Sequence, residues 1–241
     1  MPNIRTRASR KHRLAKRVRA NNENIPQSPV SVEEAVAAVK GFKGPKFDQT
    51  VECCIHLGID PKQADQAVRG SVALPKGIGK SKRVVAFCSG DAVDAALKAG
   101  AVRAGGEELV TEVEKGFMDF DVAVATPDMM RVVSKLGRVL GPKGLMPSPK
   151  AGTVTPDVAK AVTEYSAGKI EYRNDKGGNV HAPVGKMSFA DGDLVENVSA
   201  FIATIEKAKP TGAKGQFIKR ITLSGTMTPG VQIKQAAVVE A

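Results

Sequence analysis

Residues 46–59, KFDQTVECCIHLGI, alternate along the chain, with Val51, Cys53, Ile55 and Leu57 on one parity and Thr50, Glu52, Cys54 and His56 on the other. Successive side chains of a strand point to opposite faces, so this pattern predicts a strand with an apolar core side and a polar outer side. The same style returns from Lys169. KIEYRNDKGGNVHAPVG predicts a hairpin turning at Asp175 to Gly178, and QFIKRITLSGTMTPGVQI (216–233) predicts one or two closing strands. Between these ends the rhythm changes. RVVAFC (83–88) and FDVAVAT (120–126) are short continuous apolar runs, as strands buried on both faces require. Around them GDAVDAALKAG predicts a capped helix, EELVTEVEKG a second and PDMMRVVSKLGRVLG a third. Strands alternating with helices in this way mean a parallel sheet with helices outside.

Two ends in one style and a middle in another are most economically an inserted domain. The expected fold is α/β with two domains. A split α+β domain, an antiparallel sheet with two helices, takes residues 25–77 plus 169–241, and a Rossmann-like parallel α/β domain fills 78–168. Residues 1–24 form a basic extension. The two helices of the split domain are SVEEAVAAVKGF (31–42) and DGDLVENVSAFIATIEKAKP (191–210). In the first, Ser31 is placed to cap, Glu33 and Glu34 suit the first turn and Gly41 suits the end; Pro210 stops the second. Glycine-rich hinges are expected near Gly77 to Gly79 and at Gly168.

Charge narrows the class of partner. The net charge is +11, yet residues 1–20 hold Arg5, Arg7, Arg10, Lys11, Arg13, Lys16, Arg17 and Arg19 and no acid, leaving only +3 elsewhere. A transit peptide or a solvated arm shares that composition, but few apolar residues favour an arm that orders on nucleic acid. No apolar run reaches the roughly 20 residues that cross a bilayer, and no charged-then-apolar leader opens the chain, so a soluble cytoplasmic protein without membrane contact is expected. Cys53 and Cys54 fall on opposite strand faces and Cys88 is remote, which suits reduced thiols. Asn197-Val198-Ser199 matches a glycosylation acceptor and reads as a chance match.

Enzymatic readings find little support. GIGKS (77–81) ends like a phosphate loop, but Leu74 stands where its first glycine belongs, and the segment precedes a strand instead of opening a helix. FCSGDAVDAA has one glycine where a dinucleotide fingerprint needs three. Glu52, Cys54 and His56 share a strand face, but His12 and His181 stand apart in sequence, so neither a metal site nor a Cys54–His56 nucleophile pair is expected. No cofactor is expected. With aromatics at 4% and no Trp, a base-stacking sheet is also disfavoured. Folded RNA read through phosphates, 2′-hydroxyls and shape fits better. LSGTMTPG (223–230), with its glycines, proline and hydroxyls, suits that task, although an ordinary turn has the same composition.

At this point KFDQTVE, LGIDPKQADQAVRGSVALPKGIGK, MDFDVAVATPDMM, KLGRVLGPKGLMPSPKAGTV, YRNDKGGNVHAPVG and GAKGQF…LSGTM, in order from about Ser31 to Ile233, resemble the bacterial large-subunit ribosomal protein L-one family. The resemblance implies a non-enzymatic protein of the L-one stalk, monomeric off the ribosome. Its implied partners are large-subunit ribosomal RNA, the exit-site tRNA whose release it assists, and its own operon mRNA, which it represses. The alternative is an α/β enzyme acting on a nucleotide or phosphorylated substrate. By similarity the RNA site falls on Lys46, Phe47, Thr50 and Glu52 in the first strand, on Arg173, Asp175 and Lys176 around the hairpin, and on Ser224, Thr226 and Met227 in the last loop. Phe47 has the apolar parity, so core packing is its rival role. Arg138, Lys143 and Lys150, in and beside GPKGLMPSPKAG, are candidates for a secondary RNA or inter-domain contact. Thr228 stands where the family usually has glycine; a side chain there bears on the close approach of backbone to RNA, so Thr228 is not counted among the implied site residues.

Overall fold

The computed structural model describes residues 16–213 and 215–235; the basic extension before Lys16 lies outside them. The described chain opens with α1 (Lys16–Glu23), α2 (Val32–Gly41), β1 (Thr50–Leu57) and β2 (Arg69–Val72). Ser31 and Glu34 form a reciprocal box at the start of α2: the Ser31 hydroxyl accepts from the Glu34 N–H at 3.2 Å, and the Glu34 carboxylate accepts from the Ser31 N–H at 3.1 Å. The middle supplies β3 (Val84–Phe87), α3 (Asp91–Lys98), β4 (Arg103–Gly105), α4 (Glu107–Glu114), β5 (Val122–Ala125), α5 (Met130–Val133), α6 (Gly137–Leu140) and α7 (Val158–Ser166). β6 (Ile170–Arg173), β7 (Asn179–Lys186), α8 (Asp191–Lys207), β8 (Ile218–Gly225) and β9 (Val231–Ile233) complete the fold.

β3, β4 and β5 form a parallel sheet in the order β4-β3-β5. Alternate strand residues feed two separate cores. Val85, Phe87, Ala123 and Ala125 pack with Leu109, Val110, Val113 and Leu136, while Val84, Ala86, Val122 and Val124 pack with Ala96, Val162 and Tyr165. That two-sided burial is why these strands read as unbroken apolar runs.

The chain ends build an antiparallel sheet in the order β7-β1-β8-β9. Val51, Cys53, Ile55 and Leu57 are buried against Val36 and Val39 of α2 and Leu194, Val198, Phe201 and Ile205 of α8. Both expected helices are present, and Pro210 follows the end of α8.

Several expectations need correction. The ends do not form one sheet, because β2 and β6 pair separately as a two-stranded ribbon. The Asp175–Gly178 turn exists, but beyond it only Asn174 bridges Val180, and β7 then follows β1 while β6 follows β2. β2 escaped notice because Gly70 weakens its pattern. A Cβ there would stand 2.6 Å from the Tyr172 hydroxyl, so the close cross-strand approach requires glycine. The helix expected over 127–141 is broken into α5, a 3₁₀ turn at Ser134–Leu136 and α6. The Ser134 hydroxyl bonds the Met130 carbonyl at 2.6 Å and Gly137 follows, both unfavourable to a continuous helix. α3 begins at Gly90 without a side-chain cap. β4 and α7 carried too short or too weak a pattern to be anticipated.

The two connections between the sheets run side by side. A Cβ on Gly168 would lie 3.1 Å from the Ile78 nitrogen, and one on Gly77 would lie 2.8 Å from the Ala167 carbonyl oxygen. Both glycines adopt positive φ, which their neighbours' proximity and their own backbone reserve for a residue without Cβ. Asn197 on α8 is fully buried and fastens the first connection: its amide donates to the Gly77 carbonyl at 2.9 Å and the Val184 carbonyl at 2.8 Å, and its oxygen accepts from the Lys76 N–H at 3.1 Å. The apparent glycosylation acceptor is thus an internal tie.

Candidate nucleic-acid interface

At one end of the antiparallel sheet, β1 begins beside the loop that leaves β8. The Thr226 N–H donates to the Thr50 carbonyl at 3.0 Å, and the Thr226 hydroxyl oxygen lies 3.2 Å from the Thr50 N–H and 3.3 Å from the Thr50 carbonyl. The Thr50 hydroxyl accepts from the Lys186 ammonium at 2.8 Å. Below them Gln49 is 4% exposed; its side-chain oxygen accepts from the Met227 N–H at 2.8 Å and its carbonyl from the Met187 N–H at 2.9 Å. The 46–50 segment, the end of β7 and the 225–228 loop are therefore held as one unit.

On this platform stand two exposed apolar side chains, Phe47 at 54% and Met227 at 50%. Lys46 and Phe47 are not part of β1, which starts at Thr50; they lie in a bend before it. That bend ends the alternation, so Phe47 does not pack in the core as its parity would require. Glu52 is exposed on the outer face and pairs in register with Ser224 on one side and Pro183 on the other. Lys46, Phe47, Thr50, Glu52, Ser224, Thr226 and Met227 thus belong to one end of one sheet face.

Thr228 is half-buried and turned into its own loop. Its hydroxyl oxygen accepts from the Gly225 N–H at 2.8 Å, and its N–H donates to the Gly225 carbonyl at 3.2 Å, closing the turn that carries Thr226 and Met227. Replacing Thr228 by glycine should loosen that turn and weaken any RNA binding at this surface about two- to tenfold, the worth of one hydrogen bond plus the added backbone freedom. Tighter binding by Thr228→Gly in a filter assay would mean that the side chain hinders RNA instead.

Arg173 ends β6 on the separate ribbon, and Asp175 and Lys176 lie in the turn that leads from it into β7, beyond the opposite end of the face. Asn179 pairs with His56, six residues along β1 from Thr50, which places this second group about 20 Å from the first at the usual strand rise. The Asp175 carboxylate is committed to its own turn, accepting from the Asn179 N–H at 2.7 Å and the Gly177 N–H at 2.8 Å. Those donors, the Asn179 backbone foremost, hold its carboxyl below the usual range. Asp175 therefore shapes the turn that presents Lys176, an exposed cation.

Between the two groups lie Cys54, His56 and His181. His181, isolated in sequence, comes within 4.0 Å of the Cys54 sulfur and 3.8 Å of an Asp175 oxygen, while His56 Nδ1 bonds the Asn179 side-chain oxygen at 2.8 Å. Among the described residues no three His, Cys, Asp or Glu groups gather as metal ligands. Burial, and to a lesser degree Asp175, push the Cys54 thiol up, which disfavours a thiolate nucleophile.

Arg138, Lys143 and Lys150 are exposed. Their loop is fixed from within. The Ser148 N–H donates to the buried Thr153 hydroxyl at 2.8 Å, the Tyr165 hydroxyl donates to the Ala151 carbonyl at 2.8 Å, and Val154 forms a parallel bridge with Ala125 of β5. The loop comes close to the ribbon at Gly152, whose added Cβ would stand 3.1 Å from the Ser71 hydroxyl, and Gly144 to Met146 border a cleft with Glu171 of β6 and Pro183 of β7. GIGKS precedes β3 and opens no helix.

Gln49, Lys186, Asn197 and Asn21 were missed as organising residues. One signal was available for Gln49: a polar residue at the core parity of a strand must find internal partners.

A profile of the ribosomal protein L1p/L10e family matches residues 38–229 of this chain. The large ribosomal subunit protein uL1 of Solibacter usitatus (strain Ellin6076) is 51% identical over 222 residues, spanning 92% of this chain and 94% of that protein.

Proposed function

Since the chain belongs to the ribosomal protein L1p/L10e family, we propose that it holds large-subunit ribosomal RNA on the outer face of the β7-β1-β8-β9 sheet. It is a structural, cytoplasmic protein of the large ribosomal subunit and not an enzyme. The observation that carries the RNA reading is the Phe47 and Met227 pair, exposed on a platform locked by Thr226, Thr50 and Gln49. An aromatic and a thioether left in water beside fixed hydroxyls and backbone suit the sugar and base edges of folded RNA.

In this reading Lys46 meets phosphate, Phe47 and Met227 pack on ribose or an unstacked base, and Thr50, Ser224 and Thr226 address 2′-hydroxyls. Glu52 accepts from base amino groups, while Arg173 and Lys176 grip phosphate at the far end, so the RNA spans about 20 Å of sheet. Residues 25–77 plus 169–241 form the RNA-holding domain, and residues 78–168 form a second domain swinging about Gly77 to Gly79 and Gly168. That motion serves a stalk beside the exit site, assisting release of deacylated tRNA. The same surface represses the protein's own mRNA through a mimic of the ribosomal site. Off the ribosome the chain is monomeric, and Arg138, Lys143 and Lys150 supply a secondary RNA contact.

Sucrose-gradient sedimentation with large subunits stripped of their own copy tests this function. The chain should travel with the large subunit. If it stays at the top of the gradient while still binding free RNA, its work is off the ribosome, as a repressor or RNA chaperone.

A further inference from the structure

The first half of β8 breaks the alternation that the rest of the strand keeps. In Ile218-Lys219-Arg220-Ile221 both isoleucines are buried, and the two cations between them are both exposed. The cause lies in the pairing. Leu57 stands opposite Ile218 and His56 opposite Arg220, so Lys219 has no partner on β1 and bulges out of the ladder. Gly58 holds the close approach beside it: its N–H donates to the Phe217 carbonyl at 2.6 Å, and a Cβ there would stand 2.3 Å from the Gln216 carbonyl oxygen. Bulges re-aim side chains, and this one leaves an ammonium and a guanidinium in water on neighbouring residues.

Nothing in the described chain neutralises this pair. Neither Lys219 nor Arg220 makes an ion pair or a side-chain hydrogen bond among the described residues. Along the four strands of the sheet the only acid is Glu52, which lies four residues from His56, about 13 Å at the usual rise. The groups on the other side of His56 are engaged with one another. The Asn179 amide nitrogen lies 3.1 Å from an Asp175 carboxylate oxygen, which can only accept, so the amide oxygen is the atom that faces His56 Nδ1 at 2.8 Å. His56, Asn179 and Asp175 thus form a closed chain of bonds, and the two adjacent like charges on β8 are left for a partner of opposite sign.

We propose that Lys219 and Arg220, set side by side by the bulge, form a further phosphate grip for the same RNA, on the β8 side of the far end of the face. This rests on the RNA reading given above. Arg220 lies six residues along β8 from Thr226, about 20 Å, and two strand spacings, about 10 Å, from Asn179 and the turn that presents Lys176. Cations therefore flank His56 on both sides at this end, while the other end offers Phe47, Thr226 and Met227. The guanidinium meets phosphate oxygens as a planar fork and the ammonium as a point charge. The grip adds affinity and fixes register without reading bases.

Binding of the full chain to a large-subunit ribosomal RNA transcript across salt concentrations, with hydroxyl-radical footprinting, tests it. Lys219→Gln combined with Arg220→Gln should weaken binding about tenfold or more near 0.1 M salt and lower the slope of log affinity against log salt by about 1.5 to 2, from nearly one counterion released per phosphate contact. One stretch of RNA backbone should open while the protections of the Phe47–Thr226 platform persist. Lys219→Arg with Arg220→Lys keeps both charges and should keep the slope. Lys98→Gln with Lys115→Gln removes the same charge from exposed positions at the ends of α3 and α4 and should leave slope and footprint as in the unaltered chain. Both β8 side chains are exposed, so melting should not change; should the double variant lose stability, the single variants read the same result at about half the slope change. An unaltered slope and footprint in the β8 variants would overturn the proposal. An equal loss in the Lys98 and Lys115 variant would overturn it too, since the effect would then be one of net charge. Failure of the unaltered chain to bind the transcript would instead sink the RNA reading on which it rests.

Discussion

Asn197→Ala lowers the stability of the fold by about 3 kcal/mol or more. The side chain is fully buried and makes three bonds to backbone groups on two different segments, at Lys76, Gly77 and Val184. Truncation leaves the Lys76 N–H and two carbonyls without that partner, and an unsatisfied buried group costs about 1–3 kcal/mol. The loss should be specific to the amide. Asn197→Leu restores volume but no bond and stays destabilised, and Asn197→Asp turns an oxygen toward two carbonyl oxygens and is no better. Urea denaturation reads the difference as a lower midpoint at constant slope. A loss below about 1 kcal/mol for Asn197→Ala would mean that water replaces the amide, and that the first connection is not tied down through this residue.

Thr226→Val weakens RNA binding by about 1–3 kcal/mol, roughly 5- to 150-fold, with the fold intact. The substitution preserves shape and removes a hydroxyl that lies between the Thr50 N–H and carbonyl while remaining exposed. Two effects add. The hydroxyl is lost as a partner for RNA, and the loop bearing Met227 loses part of its attachment to β1. The bond from the Thr226 N–H to the Thr50 carbonyl survives, so the loop should stay near its position. The loss should therefore appear mostly in the dissociation rate, as is usual for changes within one interface. Wild-type affinity in an intact variant would remove Thr226 from the site.

The architecture was legible wherever burial imposes a period. β1 shows its parity because only one side faces α2 and α8, and β3 and β5 show none because helices cover both sides. α2 announced itself through Ser31 and Glu34, whose capping is local chemistry. What stayed hidden depends on partners distant in sequence. The pairing of β2 with β6 joins residues about a hundred positions apart, and nothing in RGSV names its partner. The turn after β6 was visible through Asp175 and Gly178, but a turn does not decide which strands then pair. At the site, the outer parity of Thr50 and Glu52 was readable, whereas the position of Phe47 was not, because a bend before β1 reverses the exposure that alternation assigns. The part played by Thr228 was not readable, because its hydroxyl bond to Gly225 exists only once the turn closes.

The central claim is that this sheet face recognises large-subunit ribosomal RNA, and competition binding tests it most directly. The purified chain is bound to a labelled large-subunit ribosomal RNA transcript near 0.15 M salt, where purely electrostatic binding is weakened, and challenged with unlabelled small-subunit ribosomal RNA. The account predicts that the small-subunit RNA competes at least about tenfold more weakly than unlabelled large-subunit RNA, and that Thr226→Val narrows this gap. Equal competition by the two RNAs, with the gap untouched by Thr226→Val, would contradict it.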